Sequence, residues 1–502
     1  MPKFTHQFDT NLYKGSITLN TDRFINNDWV SPIDGQRFEV INPSTGKGIT
    51  EISVGTSKDV NVAVSAARKA FKTSWGLNVT SSFRANCLLK LADIMSQNVD
   101  AIAAIETLDV GTPFTMTRGY LIPEAVETLK YYAGLSGKTH GHTKETNPLK
   151  FGYTRREPYG VVAAITPWNT PLRITISKIT PALITGNTVV IKPSEFTPLS
   201  ALLFASFIEE AGIPPGVINI VNGLGETVGN ALSRHPDVNL ISFTGSTRVG
   251  RLIIQASAES NMKKVFLELG GKNPSVIFAD VEDDLEEVLA WSERGIFTLS
   301  GQMCSAGSRI FVQEQIYNKF VQRFTEIAEK RVVGDPFNAA TVQGPAAYKA
   351  QRDRVMRYID TGIQEGAKLV TGGKALGKDG YFIQPTIFTE VAPEMTLFRD
   401  ESFGPIASIM KFKTEEEVIQ LANDTSYGLV GALFTKDLNR AIRMSNAIEA
   451  GTVFVNCFNW MEISLPWTGY KQSGWGSEKG EEVLEYYMQV KAVHINLGLK
   501  VA

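Results

Sequence analysis

Cysteine is scarce in this chain: three thiols, Cys87, Cys304 and Cys457, stand among 502 residues. So few form no paired framework, and none shows a CxxC metal spacing. Disulfide scaffolds and zinc ribbons are excluded, and a reducing compartment, the cytoplasm, is expected. Histidine is nearly as rare, at positions 6, 140, 142, 235 and 494. His140 and His142 alone are too thin a set for a metal site, so none is expected. Neither charge dominates, with Lys+Arg 50 against Asp+Glu 52. No basic stripe is offered to nucleic acid or to an anionic membrane. No apolar run reaches the length of a bilayer span. The opening "MPKFTHQFDTNLYKG" lacks a signal-peptide core, and the closing "NLGLKVA" carries no address motif.

What is present is alternation. "GVVAAITP", "NTVVIKPS", "GVINIVNG" and "VNLISFTG" are short β-branched runs ending in turn residues, separated by helical stretches such as 198–212. That texture predicts βαβ units and a mostly parallel sheet covered on both faces. A second alternation begins near 271: "NPSVIFAD", "SRIFVQ", "AKLVTGG" and "ASIMKF" read as strands, and 281–299, 315–332 and 345–365 as helices. The fold class is therefore α/β, with two Rossmann-like parallel-sheet domains in series. Upstream, 57–72 reads as a helix capped by Ser57 with Val60, Val64, Ala67 and Phe71 on one face, and 82–107 continues in helical rhythm with Cys87 on its apolar side. The polar segment 136–159, ending in "KFGYTRREPYG", reads as a protruding hairpin arm.

Parallel sheets bind ligands at the carboxyl ends of their strands. Three features fall there. "FTGSTRVG" at 243–250 places Gly245 where backbone can approach a ligand and Ser246 where it can cap a helix, an arrangement suited to a pyrophosphate or to a plain capped turn. "NGLGETVG" at 222–229 is a second glycine-rich helix start, including Gly225. "KPSE" puts Lys192 and Glu195 after a strand; a carboxylate there accepts ribose hydroxyls and repels a 2′-phosphate, favouring NAD over NADP, unless the pair is only a solvated turn.

The remaining question is "GQMCSAG" at 301–307, a cysteine among small residues. A structural thiol sits among large apolar neighbours, whereas a reactive one needs access. With "PWNTP" at 167–171, "KPSE", "FTGSTRVG", "ELGGK" at 268–272, "DESFGPI" at 400–406 and "PWTGYKQSGWG" at 466–476, this stretch resembles the aldehyde dehydrogenase superfamily, from about residue 20 onward. The similarity is greatest to the NAD-dependent, non-acylating branch, which oxidises aldehydes to acids.

The resemblance implies that Cys304 attacks the carbonyl to give a thiohemiacetal, that hydride goes to nicotinamide, and that water hydrolyses the resulting thioester. It implies Asn169 as oxyanion donor, Glu268 as general base and Lys178 as an aid to proton movement. On the cofactor side it implies Thr166, Pro167, Trp168, Lys192, Ser194, Glu195, Gly225, Gly245, Ser246, Leu269, Gln351, Glu401 and Phe403, with Glu401 at the nicotinamide ribose. Thr170, Arg173, Ser177, Met303, Ser305, Asn459, Met461 and Trp467 are expected to shape the pocket for a small-molecule aldehyde, with Trp460 nearby. Where relatives that oxidise fatty and retinal aldehydes place an aromatic after "PWN" and apolar residues beyond it, this chain has Thr170, Arg173 and Ser177. Arg173 then favours an acidic aldehyde if it faces the pocket, or is a surface arginine paired with an acid. Leu299-Ser300 replaces a common Asn-Gln pair before the cysteine loop.

Three other readings are open: a cysteine-dependent thioester or ester hydrolase, a noncatalytic NAD-binding relative, and a CoA-acylating enzyme, whose members commonly lack the glutamate present here at 268. The family's pattern further implies a cofactor-binding domain from 1–135 and 160–270, a catalytic domain from 271–475, and an oligomerisation arm and tail from 136–159 and 476–502. Arm and tail are expected to pair across subunits of a homodimer or homotetramer.

Overall fold

The computed structural model describes residues 2–501, so the outer bounds of the expected domains, 1 and 502, lie outside the described residues. The β-branched runs assemble into two large open sheets. In the first, Val161–Ile165, Thr188–Lys192, Ile218–Ile220, Leu240–Thr244 and Lys264–Glu268 run parallel. Short antiparallel strands close its edges, Arg23–Ile25 and Asp28–Val30 on one side and Gly474–Trp475 on the other. Chain order runs outward in both directions from Val161–Ile165, so a topological switch point lies between it and Leu240–Thr244.

Side-chain alternation accounts for the layers. Val162 and Ala164 pack with Leu91, Leu129, Ile176 and Leu202 from helices on one face. Val161, Ala163 and Ile165 pack with Val60, Val64, Ala67 and Ile253 on the other. Such strands are apolar throughout because both faces are covered. In the second sheet Pro274–Ile277, Arg309–Gln313, Thr386–Thr389, Ile406–Phe412, Val430–Phe434 and Thr452–Val455 are parallel. Lys368–Thr371, from "AKLVTGG", is instead an antiparallel edge strand.

Several local expectations change. The helix Ser57–Thr73 is capped by Thr56, not Ser57, because Asp59 accepts the Thr56 backbone N–H at 2.7 Å and completes a reciprocal capping box. The stretch 82–107 is two helices, Ser81–Gln97 and Val99–Val110, broken at Asn98. Of 198–212 only Leu199–Ala205 is α-helical. The arm is a hairpin, Thr143–Lys144 against Lys150–Pro158, and the tail strand Met488–Asn496 pairs along all nine residues of Lys150–Pro158 in the same chain. Arm and tail are thus partners of each other before any second subunit is involved. No helix among the described residues is long and apolar enough to cross a membrane.

Candidate active site

The carboxyl ends of the first sheet face the segments that lead into the second. Thr166, Pro167 and Trp168 follow Val161–Ile165, Lys192 ends its strand, and Gly245 and Ser246 follow Leu240–Thr244. Glu268 ends Lys264–Glu268, while Cys304 lies just before Arg309–Gln313 and Glu401 just before Ile406–Phe412. The second sheet therefore contributes Cys304 and Glu401 from its amino side.

The turn carrying Cys304 is held tightly. Asn273 Nδ2 donates to the carbonyls of Cys304 at 2.8 Å and Ala306 at 2.9 Å, while its Oδ1 accepts from Val430 N–H. A Cβ at Gly271 would meet the Cys304 carbonyl at 2.5 Å, so glycine is required for this approach. Leu299 and Ser300, the departure noted in the sequence, both adopt left-handed φ, 51° and 59°, a cost offset where Ser300 Oγ donates to Gly344 O at 2.8 Å. Gln302 braces the turn through Leu299, Pro345 and Ala347, and its carbonyl accepts from Asn169 Nδ2 at 2.9 Å. That bond uses one of the two Asn169 amide protons, leaving the other for a ligand oxygen. Asn273 and Gln302 were not singled out in the sequence; their signal was adjacency to "ELGGK" and the cysteine.

Cys304, Glu268 and Asn169 line one cavity, and so does every residue expected in the substrate pocket: Thr170, Arg173, Ser177, Met303, Ser305, Asn459, Met461 and Trp467. No histidine does. Tyr120, Arg294, Glu478 and Lys479 also line it and were not anticipated. Burial, and then the neighbouring carboxylates of Glu268, Glu401 and Glu478, push the Cys304 thiol well up, so it carries its proton until a base takes it. Glu268 lines the same cavity and stands close enough to act on that thiol. Burial and repulsion by Glu478 raise its carboxyl to about 7, against the hydrogen bond from Trp467, the nearby Cys304 thiol and the charge of Lys178. Trp467 Nε1 donates to Glu268 Oε1 at 3.1 Å, so Trp467 positions the base as well as lining the wall. Lys178, almost fully buried, donates to Glu478 Oε1 at 2.5 Å and to Ser242 Oγ at 3.1 Å.

Arg173 corrects an expectation. It lines the cavity, but both arms of its fork go to Glu124, at 2.5 and 2.9 Å, and Lys479 also contacts Glu124. It is neither a surface arginine nor a free anion site. Trp460 is exposed and does not line the cavity.

The cofactor-side residues fit a dinucleotide on their own geometry. Ser246 caps the helix Thr247–Ala258 by accepting from Val249 N–H, which leaves a helix start beside the strand ends. Gly245, whose N–H donates to Glu268 O at 3.1 Å, leaves no room for a side chain, because a Cβ would meet the Phe243 ring at 2.4 Å. Lys192 Nζ bonds Glu195 Oε2 at 2.7 Å, and Ser194 Oγ accepts from Phe196 N–H. Trp168 packs edge-on against Phe403 and Tyr348. Glu401 Oε1 accepts from Gly271 N–H at 3.0 Å, and burial lifts its carboxyl to about 7. Gln351 is buried and its amide donates to the Phe403 carbonyl at 2.7 Å, so it holds Phe403 in its left-handed conformation rather than standing open. Leu269 N–H donates to Ser473 O, and the exposed Gly225 begins a π-helical turn, Gly225–Gly229, whose last two residues are buried.

Known proteins resemble this chain over nearly its whole length. The model of the aldehyde dehydrogenase family matches residues 29–493. An aldehyde dehydrogenase of Agaricus bisporus is 50% identical over 99% of this chain and 99% of its own. One of Emericella nidulans is 51% identical over 95% of each. The structure of the NAD+ complex of aldehyde dehydrogenase from Bacillus cereus superposes with a TM-score of 0.93 at 40% identity, covering 95% of this chain and 97% of that one. With a half-buried thiol and a carboxyl on one cavity wall, and a family match over residues 29–493, the chain belongs to the aldehyde dehydrogenase family.

Proposed function

We propose that the protein oxidises an aldehyde to its carboxylic acid with NAD, and the observation that carries this reading is the convergence of Cys304, Glu268 and Asn169 on one cavity. Glu268, poised near neutrality, takes the thiol proton, and sulfur adds to the carbonyl carbon. The free Asn169 N–H and the Cys304 backbone N–H stabilise the oxygen of the thiohemiacetal. NAD, when bound, supplies the hydride acceptor. Once Glu268 has passed the thiol proton to solvent, it removes a proton from the water that attacks the thioester; the carboxylic acid leaves, the Cys304 sulfur is released, and the Lys178–Glu478 pair beside Glu268 tunes the charge it works against.

In this reading the cofactor is held by Thr166, Pro167 and Trp168, by Lys192, Ser194 and Glu195, by Gly225, Gly245, Ser246 and Leu269, and by Glu401 and Phe403, with Gln351 bracing Phe403. Glu195 favours NAD over NADP by repelling a 2′-phosphate. We assign the cofactor to the domain of 1–135 and 160–270, the nucleophile to that of 271–475, and assembly to 136–159 and 476–502. The tail strand Met488–Asn496 presents a long exposed edge, which supports pairing in a homodimer or homotetramer. Three free thiols suit the cytoplasm.

The test is the absorbance of reduced cofactor when the purified protein meets NAD and a panel of aldehydes. Wild type is expected to turn over, and Cys304→Ser to lose at least about 10³-fold in kcat while remaining folded by circular dichroism. Full turnover by Cys304→Ser would remove the nucleophile from the mechanism.

A further inference from the structure

Arg173 is neutralised by Glu124, but another cation in the same cavity is not. Arg294, half-buried on the helix Leu285–Phe297, lines the wall beside Tyr120 and Asn459 and forms no ion pair among the described residues. Its guanidinium carbon lies 5.8 Å from the Tyr120 ring centre, 5.9 Å from Trp291 and 5.7 Å from Trp460, so three aromatic rings fix the fork. One terminal nitrogen makes a long bond, 3.4 Å, to the Asn459 carbonyl, and Nε is buried without a protein acceptor. Other side chains that line the cavity are also unsatisfied: both amide atoms of Asn459 and the Thr170 hydroxyl are buried without a protein partner. Buried polar atoms left unpaired are costly, and a cluster of them facing a cavity calls for a polar ligand.

The charges decide its sign. Along this wall Arg173 and Lys479 share Glu124, while Arg294 has no carboxylate partner among the described residues. Glu478 is matched by Lys178, and Glu268 is engaged with Cys304 and Trp467. An aromatic cage of this kind would suit an amine, but here it already holds the Arg294 guanidinium, whose charge repels a second cation.

We infer that the physiological substrates are aldehydes bearing a carboxylate at the end remote from the carbonyl, with Arg294 and Asn459 binding that carboxylate while Cys304 meets the carbonyl carbon. The inference rests on the reading of Cys304 as nucleophile. A fixed guanidinium fork matches the two oxygens of a carboxylate, and Asn459 adds a donor beside it.

The experiment measures kcat/KM for aldehydes of matched length ending in a carboxylate, its methyl ester or a protonated amine, over several chain lengths. Wild type is expected to prefer the acid to the ester by about tenfold or more at its best length, and to prefer the amine least. Added salt is expected to shrink the preference. In Arg294→Gln the acid-over-ester ratio is expected to fall about 10- to 100-fold, chiefly through KM, and Arg294→Lys to restore part of it. Equal or better use of ester or amine by wild type at every length would overturn the inference, as would an unmoved ratio in Arg294→Gln. If the variant fails to fold, the wild-type series decides alone. An active enzyme without charge preference sinks this inference only; a wild type that reduces no NAD with any aldehyde sinks the reading beneath it.

Discussion

Glu268 and Glu124 belong to two charge clusters of one cavity, and their surroundings drive them in opposite directions. Glu268 meets a thiol, an indole N–H and a repelling Glu478, and its carboxyl rises to about 7. At Glu124 burial also acts to raise the carboxyl, but Arg173 and Lys479 outweigh it and take it down to about 2. One acid is kept ready to exchange a proton; the other is kept permanently charged. The same residue type thus serves reaction in one cluster and construction in the other, and the number of cations within reach decides which.

The sharpest way to break this contrast is to remove each charge in turn. Glu268→Gln is expected to lower kcat by about 10²- to 10⁴-fold, the usual worth of a general base. Because the base works when ionised, the wild-type rate should climb as pH rises through about 7, and that limb should vanish in the variant. Stability should not suffer. A carboxyl raised in the folded state stabilises below its unfolded pKa, and that contribution is lost as pH rises toward about 7; the ionised form therefore costs about 3 kcal/mol. A neutral amide avoids that cost, so the unfolding midpoint at pH 8 should hold or rise.

Glu124→Gln should do the reverse. Its side chain is 11% exposed, and loss of its charge leaves Arg173 and Lys479 buried together without an anion. Breaking a buried pair in this way costs about 3–5 kcal/mol. The Glu124 contribution is present above the unfolded pKa of about 4.3 and lost as pH falls toward about 2, so wild type and variant should draw together from about pH 4 downward and meet near pH 2. Denaturant unfolding between pH 8 and 2 checks this. A Glu124→Gln protein as stable as wild type at pH 7 would mean that the cluster contributes nothing to folding.

The two clusters also differ in how far the sequence discloses them. Cys304, Glu268 and Asn169 stand in short motifs whose small neighbours and strand-end positions announce a site. Glu124, Arg294 and Lys479 are single charges on helices or in a turn, where a charged residue ordinarily reads as solvated face, and only tertiary packing turns them inward. Arg173 could be placed in the pocket, but its partner on a separate helix could not. The fold shows the same division. Parallel strands are legible because each is apolar along its whole length, whereas Arg23–Ile25, Asp28–Val30 and Gly474–Trp475 are two or three residues long and owe their pairing to the sheet they join. The break at Asn98 escapes because apolar periodicity continues across it, and the cap falls on Thr56 because Asp59, three residues along, selects that hydroxyl over Ser57.

The smallest expected effect refines the Glu268 side. Trp467→Phe removes the indole N–H that favours the ionised carboxylate and leaves an aromatic ring in the wall. A neutral donor to an acceptor of this kind is worth about 0.5–1.5 kcal/mol, which displaces a pKa by about half a unit to one unit. The rising limb of the pH–rate profile should therefore move to higher pH, with kcat several-fold lower near pH 7 and recovering toward wild type above pH 9. A purely structural role for Trp467 predicts a different curve, depressed by one factor at every pH with its midpoint unmoved. The indole thus sets where on the pH scale Glu268 becomes a base, and the repelling Glu478, matched by Lys178, works against it from the other side.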